Sequence, residues 1–216
     1  MSNPLTQLSP NLFIAGMGIP SCGKSSTLRL VAEKLGAKFF AEPEENSWPE
    51  AVLERDLSGC FSAITWFRSQ RVPYYYKARF LADSGQLAIV DSYYDGLMKG
   101  LVGQAGMNWL IEKDDPYYSL VMDMAMKDWE LLPKPDLMIF FELSYEDWKQ
   151  MIEGRGRQLD QEQALLDSYP TQELFHRVGR DFCEQYHIKY LTYKQKFSTL
   201  EASASRLLSQ LEKEMT

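Results

Sequence analysis

Short apolar runs punctuate this chain, and between them lie longer stretches with apolar residues at every third or fourth position. Leu12-Phe13-Ile14-Ala15 is the first run and leads into Gly16-Met17-Gly18. From Lys24 to Leu35 the positions Leu28, Leu30, Val31 and Leu35 keep a helical period, and Gly36 offers a stop. Residues 37–41 read as a second strand, closed at Glu42-Pro43 because proline does not continue a strand. Residues 48–84 are helical in pattern, with a break at Ser58-Gly59 and a candidate kink at Pro73. Residues 87–90 form a third buried-type strand ending at Asp91. Helical stretches follow over 93–103 and 115–131, and residues 137–141 form a fourth strand. Ser144 caps a further helical start with Glu146 and Asp147 in its first turn. Residues 188–192 read as a fifth strand, and an amphipathic helix begins near Ser198. Wholly apolar strands alternating with helices predict an α/β fold, a parallel sheet covered on both faces.

Composition narrows the picture. At 216 residues the chain fits one domain, or one domain with a lid, and no repeat or linker divides residues 1–216. Thirty acidic against 23 basic residues leave a net charge of −7, which argues against a nucleic-acid partner held by a broad basic face. A small anionic ligand is compatible with that balance, because one phosphate site needs only local cations. No apolar run approaches the length of a membrane span, and the first residues lack the basic and apolar regions of an export signal. Cys22, Cys60 and Cys183 are too scattered for a disulfide framework or a zinc pattern. The expectation is a cytoplasmic protein.

The candidate chemistry begins at Gly18, Ile19, Pro20, Ser21, Cys22, Gly23, Lys24 and Ser25, which match G-x-x-x-x-G-K-[ST] at every fixed position, with Ser26 following. Glycines let backbone N–H groups turn onto phosphate oxygens, and the helix starting there adds its positive end. Lys24 supplies a point charge for the outer phosphates and Ser25 a hydroxyl for Mg²⁺. This is the signature of a nucleoside triphosphate site. Cys22 reads as a small residue that fits the loop, or alternatively as a thiol made acidic by the helix end. Ligands of open parallel sheets gather at the carboxyl ends of strands. Glu42 and Asp91 stand there: Asp91 has the form of a metal-holding acid, and Glu42 could take a proton from a hydroxyl nucleophile. Glu142 ends the fourth strand but has no supporting pattern and reads as structural.

Residues 18–25, Glu42-Pro43, the helix with Gln70, Asp91-Ser92, Pro135-Asp136-Leu137 and Arg155-Gly156-Arg157 fall in an order that resembles the deoxynucleoside kinase family, relatives of thymidylate kinase. The resemblance spans roughly residues 10 to 195. It implies a P-loop NTPase-type three-layer fold with a five-stranded parallel sheet and an arginine-bearing lid, roughly residues 153–170. It also implies homodimers, and transfer of the γ-phosphate of ATP, with Mg²⁺, to a nucleoside 5′-hydroxyl. Carried onto this sequence, Glu42 becomes the general base and Trp48 a lining of the nucleoside pocket. Gln70 becomes the reader of the base edge, with Lys77 or Arg79 as the basic residue further along the same helix. Arg155 and Arg157 match lid arginines that stabilise the transferring phosphoryl group, and Asp160 matches a lid acid on the sugar 3′-hydroxyl.

Two departures stand out. The family carries arginine after the strand-three acid, where this chain has Ser92, and the tyrosine expected upstream of Gln70 is replaced by the neighbourhood of Gly59 and Phe61. A nucleoside monophosphate kinase is the alternative enzyme. It needs arginines for the acceptor phosphate, which Arg68, Arg71 or Arg79 could supply. A kinase-like nucleotide-binding protein with weak or lost activity is the alternative of another class. His176 and His187 read as surface or packing residues. Residues 74–76, 117 and 118 (all tyrosines) read as core or interface groups, and Met122, Met124 and Met126 as core filler.

Overall fold

Five apolar segments form one sheet in a computed structural model that describes residues 11–155 and 168–215. They are β1 (Phe13–Met17), β2 (Lys38–Phe40), β3 (Ala88–Val90), β4 (Leu137–Glu142) and β5 (Lys189–Lys194). The spatial order is β2-β3-β1-β4-β5, and every pairing is parallel. Register follows burial: Ile14 of β1 pairs with Ile89 on one side and Leu137 on the other, and all three side chains are fully buried. The central strands β1 and β3 are buried throughout, whereas the edge strand β5 alternates between core and surface. That contrast is expected when both faces of a parallel sheet are covered.

The helices are α1 (Lys24–Leu35), α2 (Glu50–Leu53), α3 (Arg55–Ser58), α4 (Cys60–Asp83), α5 (Tyr94–Leu101), α6 (Tyr118–Leu131), α7 (Tyr145–Arg155), α8 (Gln172–Tyr186) and α9 (Leu200–Met215). Side-chain alternation in β1 and β4 distributes them over two layers. On one face a Cβ at Gly16 would lie 2.5 Å from Leu28 of α1, and Phe141 meets Tyr193, whose hydroxyl donates to the Ser203 carbonyl of α9. On the other face Phe13 packs edge-on against Tyr93, Met17 abuts Gly179 of α8, and Phe140 stacks on His176 of α8. The three-layer α/β fold expected from the sequence is therefore present.

The predicted strands lie within two residues of the observed ones. Gly59, at φ 81°, separates α3 from α4 where the break was expected. Helix α4 runs unbroken through Pro73, over about 36 Å at 1.5 Å per residue. Ser144 caps α7 as expected: its hydroxyl accepts the Asp147 N–H at 3.1 Å and donates to the Asp147 carboxylate at 2.8 Å. Helix α8 escaped the sequence reading, although Phe175, Val178, Phe182 and Cys183 keep a helical period and all four are buried. No described helix is long and apolar enough to cross a membrane.

The winding positions the site. From β1 the chain goes to β2 and back to β3, then crosses over β1 to β4. The direction reverses beside β1, so the carboxyl ends of β1, β3 and β4 border a crevice at the topological switch point.

Candidate active site

The turn after β1 enters that crevice. Ser21 at φ 61° and Gly23 at φ 75° both take left-handed backbone, and Gly23 caps α1 from that conformation. Two left-handed residues within three positions curl the backbone into a concave loop whose N–H groups suit an anion. The loop is braced from below: the buried Trp148 of α7 donates its Nε1–H to the Pro20 carbonyl at 2.8 Å. Cys22 is buried, with its sulfur 2.8 Å from where a Cβ on Gly18 would lie. Ser25 is half-buried and Ser26 exposed at the start of α1.

Lys24 is buried, and its Nζ lies 2.5 Å from Oδ1 of Asp91 and 3.6 Å from Oε2 of Glu42. Burial pulls the ammonium pKa down, but Asp91 and Glu42 outweigh it and hold the lysine above its ordinary value. Asp91 ends β3 and is itself buried; its second oxygen sits 3.4 Å from the Glu42 backbone N–H. Glu42, a third exposed, is held from its other side by Arg71 Nη1 at 3.4 Å from Oε1.

Arg71 reaches the crevice from α4. Its Nε and Nη2 donate to the two oxygens of Asp95 at 2.8 and 3.1 Å, a bidentate fork, and the Tyr75 hydroxyl adds a bond to the same carboxylate at 2.7 Å. The guanidinium lies 5.3 Å from the ring centres of both Phe67 and Tyr94. Asp95 is completely buried. Burial alone would raise its carboxyl pKa; Arg71 and Tyr75 more than offset that, so the group stays below the ordinary carboxylate range. Burial raises the Tyr94 hydroxyl well above its usual value, and among the described residues that hydroxyl has no hydrogen-bond partner. Next to this cluster, Trp48 meets Phe67 edge-on at 5.2 Å and donates Nε1–H to the Pro43 carbonyl at 3.2 Å. An aromatic wall of Trp48, Phe67 and Tyr94 thus flanks a charged floor of Lys24, Glu42, Arg71, Asp91 and Asp95.

The structure brings together Lys24, Glu42, Trp48 and Asp91 among the residues predicted from sequence. It separates three others. Gln70 is exposed, with its amide on the Ser69 hydroxyl, because a one-residue step along α4 turns it about 100° from Arg71. Arg79 pairs with Asp83 and with Asp136 and donates to the Lys134 carbonyl at 2.9 Å, at the amino ends of the strands. It joins the sheet to α4 and is remote from the loop. Lys77 is exposed and lies 5.7 Å over the Tyr74 ring, beside Lys38 at the start of β2, because α4 runs antiparallel to the strands and has already left the crevice. Arg68 spends its fork on Asp128 at 2.6 and 2.7 Å. Arg157 and Asp160 lie outside the described residues, as does the Arg155 side chain; the Arg155 backbone ends α7. Phe67, Tyr94 and Asp95 were missed, Tyr75 was read as a core or interface tyrosine, and Arg71 was named only as one of three arginines able to serve a monophosphate acceptor. The available signal was the spacing of Phe67, Arg71 and Tyr75, which puts all three on one face of α4.

No family model matches the chain. A curated deoxyguanosine kinase of Lactobacillus johnsonii is 26% identical over 174 residues, covering 78% of this chain and 73% of that protein. Among solved structures, the deoxyadenosine kinase of M. mycoides with bound dATP superposes with a TM-score of 0.66 at 17% identity, over 93% of this chain and 98% of its own. The thymidylate kinase of Candida albicans gives a TM-score of 0.56 at 18% identity, over 96% of this chain and 94% of its own. At these identities the two structures share the fold.

Proposed function

We propose that this chain belongs with the deoxynucleoside kinases, ATP-dependent phosphotransferases, and transfers the γ-phosphate of ATP to the 5′-hydroxyl of a deoxyribonucleoside. The observation that carries the reading is Glu42 held between Lys24 of the phosphate loop and Arg71, at 3.6 and 3.4 Å. A carboxylate this close to the lysine of a phosphate loop is placed to meet both a terminal phosphate and an acceptor. In the transfer, Glu42 takes the hydroxyl proton as the 5′-oxygen forms its bond to γ-phosphorus. The bond from γ-phosphorus to the bridging oxygen breaks, and ADP leaves with that electron pair. Lys24 exchanges its carboxylate partners for phosphate oxygens.

Charge favours a nucleoside over its monophosphate as acceptor. Among the described residues the floor holds two cations, Lys24 and Arg71, against three carboxylates, Glu42, Asp91 and Asp95. An acceptor already bearing phosphate would add negative charge where two carboxylates, Glu42 and Asp95, already offset the Arg71 cation. Ser25 and Asp91 offer the hydroxyl and carboxylate oxygens that Mg²⁺ accepts alongside phosphates and water, and both stand where the loop meets the end of β3. Bound there, the ion would neutralise phosphate charge. Arg155 and Arg157 as lid cations, a homodimer and a cytoplasmic location belong to the same reading.

The test is a panel of deoxyribonucleosides and their monophosphates assayed with ATP and Mg²⁺. Nucleosides should be phosphorylated and stabilise the protein thermally more than their monophosphates do. Glu42→Gln should lower kcat at least a hundredfold while ATP still shifts the melting temperature. Turnover of monophosphates alone, or near-normal activity in that variant, would overturn the assignment.

A further inference from the structure

Position 92 is serine, and the crevice nevertheless contains an arginine against the general base. Arg71 arrives from α4, not from the turn after β3, and its side chain is only 11% exposed. Three features fix it: the two-bond fork on Asp95, the Tyr75 hydroxyl bracing that carboxylate, and the rings of Phe67 and Tyr94 beside the guanidinium. A planar cation held this way loses little freedom when it binds. Of the five N–H donors of a guanidinium, Asp95 and Glu42 take three, which leaves two for a ligand.

We propose that Arg71 is the positioning residue for Glu42 and the cation on the acceptor side, supplied by α4 in place of the arginine absent at position 92. This rests on the nucleoside kinase reading. The argument turns on what happens to Glu42 when ATP binds. The carboxylate is held by two cations, and the nucleotide draws Lys24 away to its phosphates. Arg71 is anchored to Asp95 and stays, so Glu42 Oε1 remains fixed and Oε2, freed from Lys24, is presented to the hydroxyl. The two remaining N–H groups of Arg71 are left for the acceptor oxygen or the transferring phosphoryl group.

The experiment moves the cation. R71M, R71K and the double variant R71M/S92R are compared with the wild-type protein by separate kcat and KM values for nucleoside, by ATP-induced thermal shift and by melting temperature. The carboxylate carbon resonance of Glu42 is followed in the protein without nucleotide. R71M should lose about a hundredfold in kcat with its ATP shift intact. R71K should recover little, because an ammonium cannot fork across Asp95 and reach Glu42 together. R71M/S92R should regain at least tenfold in kcat, and its Glu42 resonance, displaced in R71M, should return toward the wild-type position. The proposal is overturned if R71M keeps kcat within about threefold of wild type. It is equally overturned if arginine at position 92 restores neither rate nor resonance, since Arg71 would then serve packing alone. A wild-type protein that phosphorylates no nucleoside would sink the acceptor assignment instead; the Glu42 resonance, which needs no turnover, would still decide whether Arg71 positions the carboxylate.

Discussion

Two arginines one helical turn apart on α4 show how burial sets the worth of an ion pair. Arg71 and Asp95 are both shielded, at 11% and 0% side-chain exposure, whereas Arg68 is 32% exposed over its partner Asp128. Removing one member of a buried pair strands the other in a low dielectric, while a partner open to water is rehydrated. Asp95→Asn should therefore cost about 3–5 kcal/mol of stability, and Asp128→Asn only about 1–2 kcal/mol. Urea titrations of both variants test this, and equal losses would contradict it. The contrast also explains why Arg71 was harder to single out from sequence than Lys24. A lysine inside G-x-x-x-x-G-K-[ST] is marked by its neighbours, but an arginine on a long helix is marked only by what the fold puts across from it. Gln70 and Arg71 are adjacent in the chain and point to different places, so a step of one residue separates a side chain inside the crevice from an exposed one.

Among the elements, α8 shows what periodicity misses when attention rests on motifs. Its buried stripe is plain in the sequence, yet it lies between Arg155-Gly156-Arg157 and β5, and neither a cap nor chemistry announces it. Strands β1, β3 and β4 were legible because wholly apolar runs have few other uses, while the edge strands β2 and β5 were marked by aromatic and apolar residues around their lysines. The path of α4 away from the crevice was not, because direction relative to the sheet is a tertiary property; hence Lys77 and Arg79 were expected at the wrong end. Helix α8 also carries a titratable contact. His176 stacks on Phe140 at 4.7 Å, and its Nε2 lies 3.3 Å from both the Thr192 hydroxyl and an Arg180 nitrogen. Arg180 can only donate, so the imidazole nitrogen facing it must be the neutral acceptor. Burial lowers the His176 pKa, Arg180 lowers it further, and Glu142 offsets only part of this. The unfolded chain then binds the proton more readily than the folded one. Stability attributable to this residue is full above about pH 6.5 and declines as the pH falls below that value. Thermal melts between pH 5 and pH 7 should show that decline in the wild-type protein and a flatter profile in His176→Leu; identical profiles would refute the assignment.

At the scale of the whole molecule, a net charge of −7 repels polyanions in general, so under the proposed reading polyphosphate would be held only where the glycine-rich turn, the start of α1 and Lys24 supply local positive charge. The sheet order makes this possible by opening the chain on either side of β1, which gathers the phosphate loop, Glu42 and Asp91 from three separate strands. These residues were readable in advance because each ends an apolar run. The aromatic wall and the Arg71–Asp95 fork depend on how α4 and α5 pack, and sequence spacing alone does not report that. One contact has a practical use. The indole of Trp148 is sealed from solvent and bonded to the backbone of the phosphate loop through Pro20. It is a built-in optical probe: occupancy of the loop should perturb its emission without any added dye. The chain has five tryptophans, so the signal is the nucleotide-dependent change in wild type that disappears in Trp148→Phe. Because that indole sits on α7, the same light would time the response of this helix to filling of the cradle.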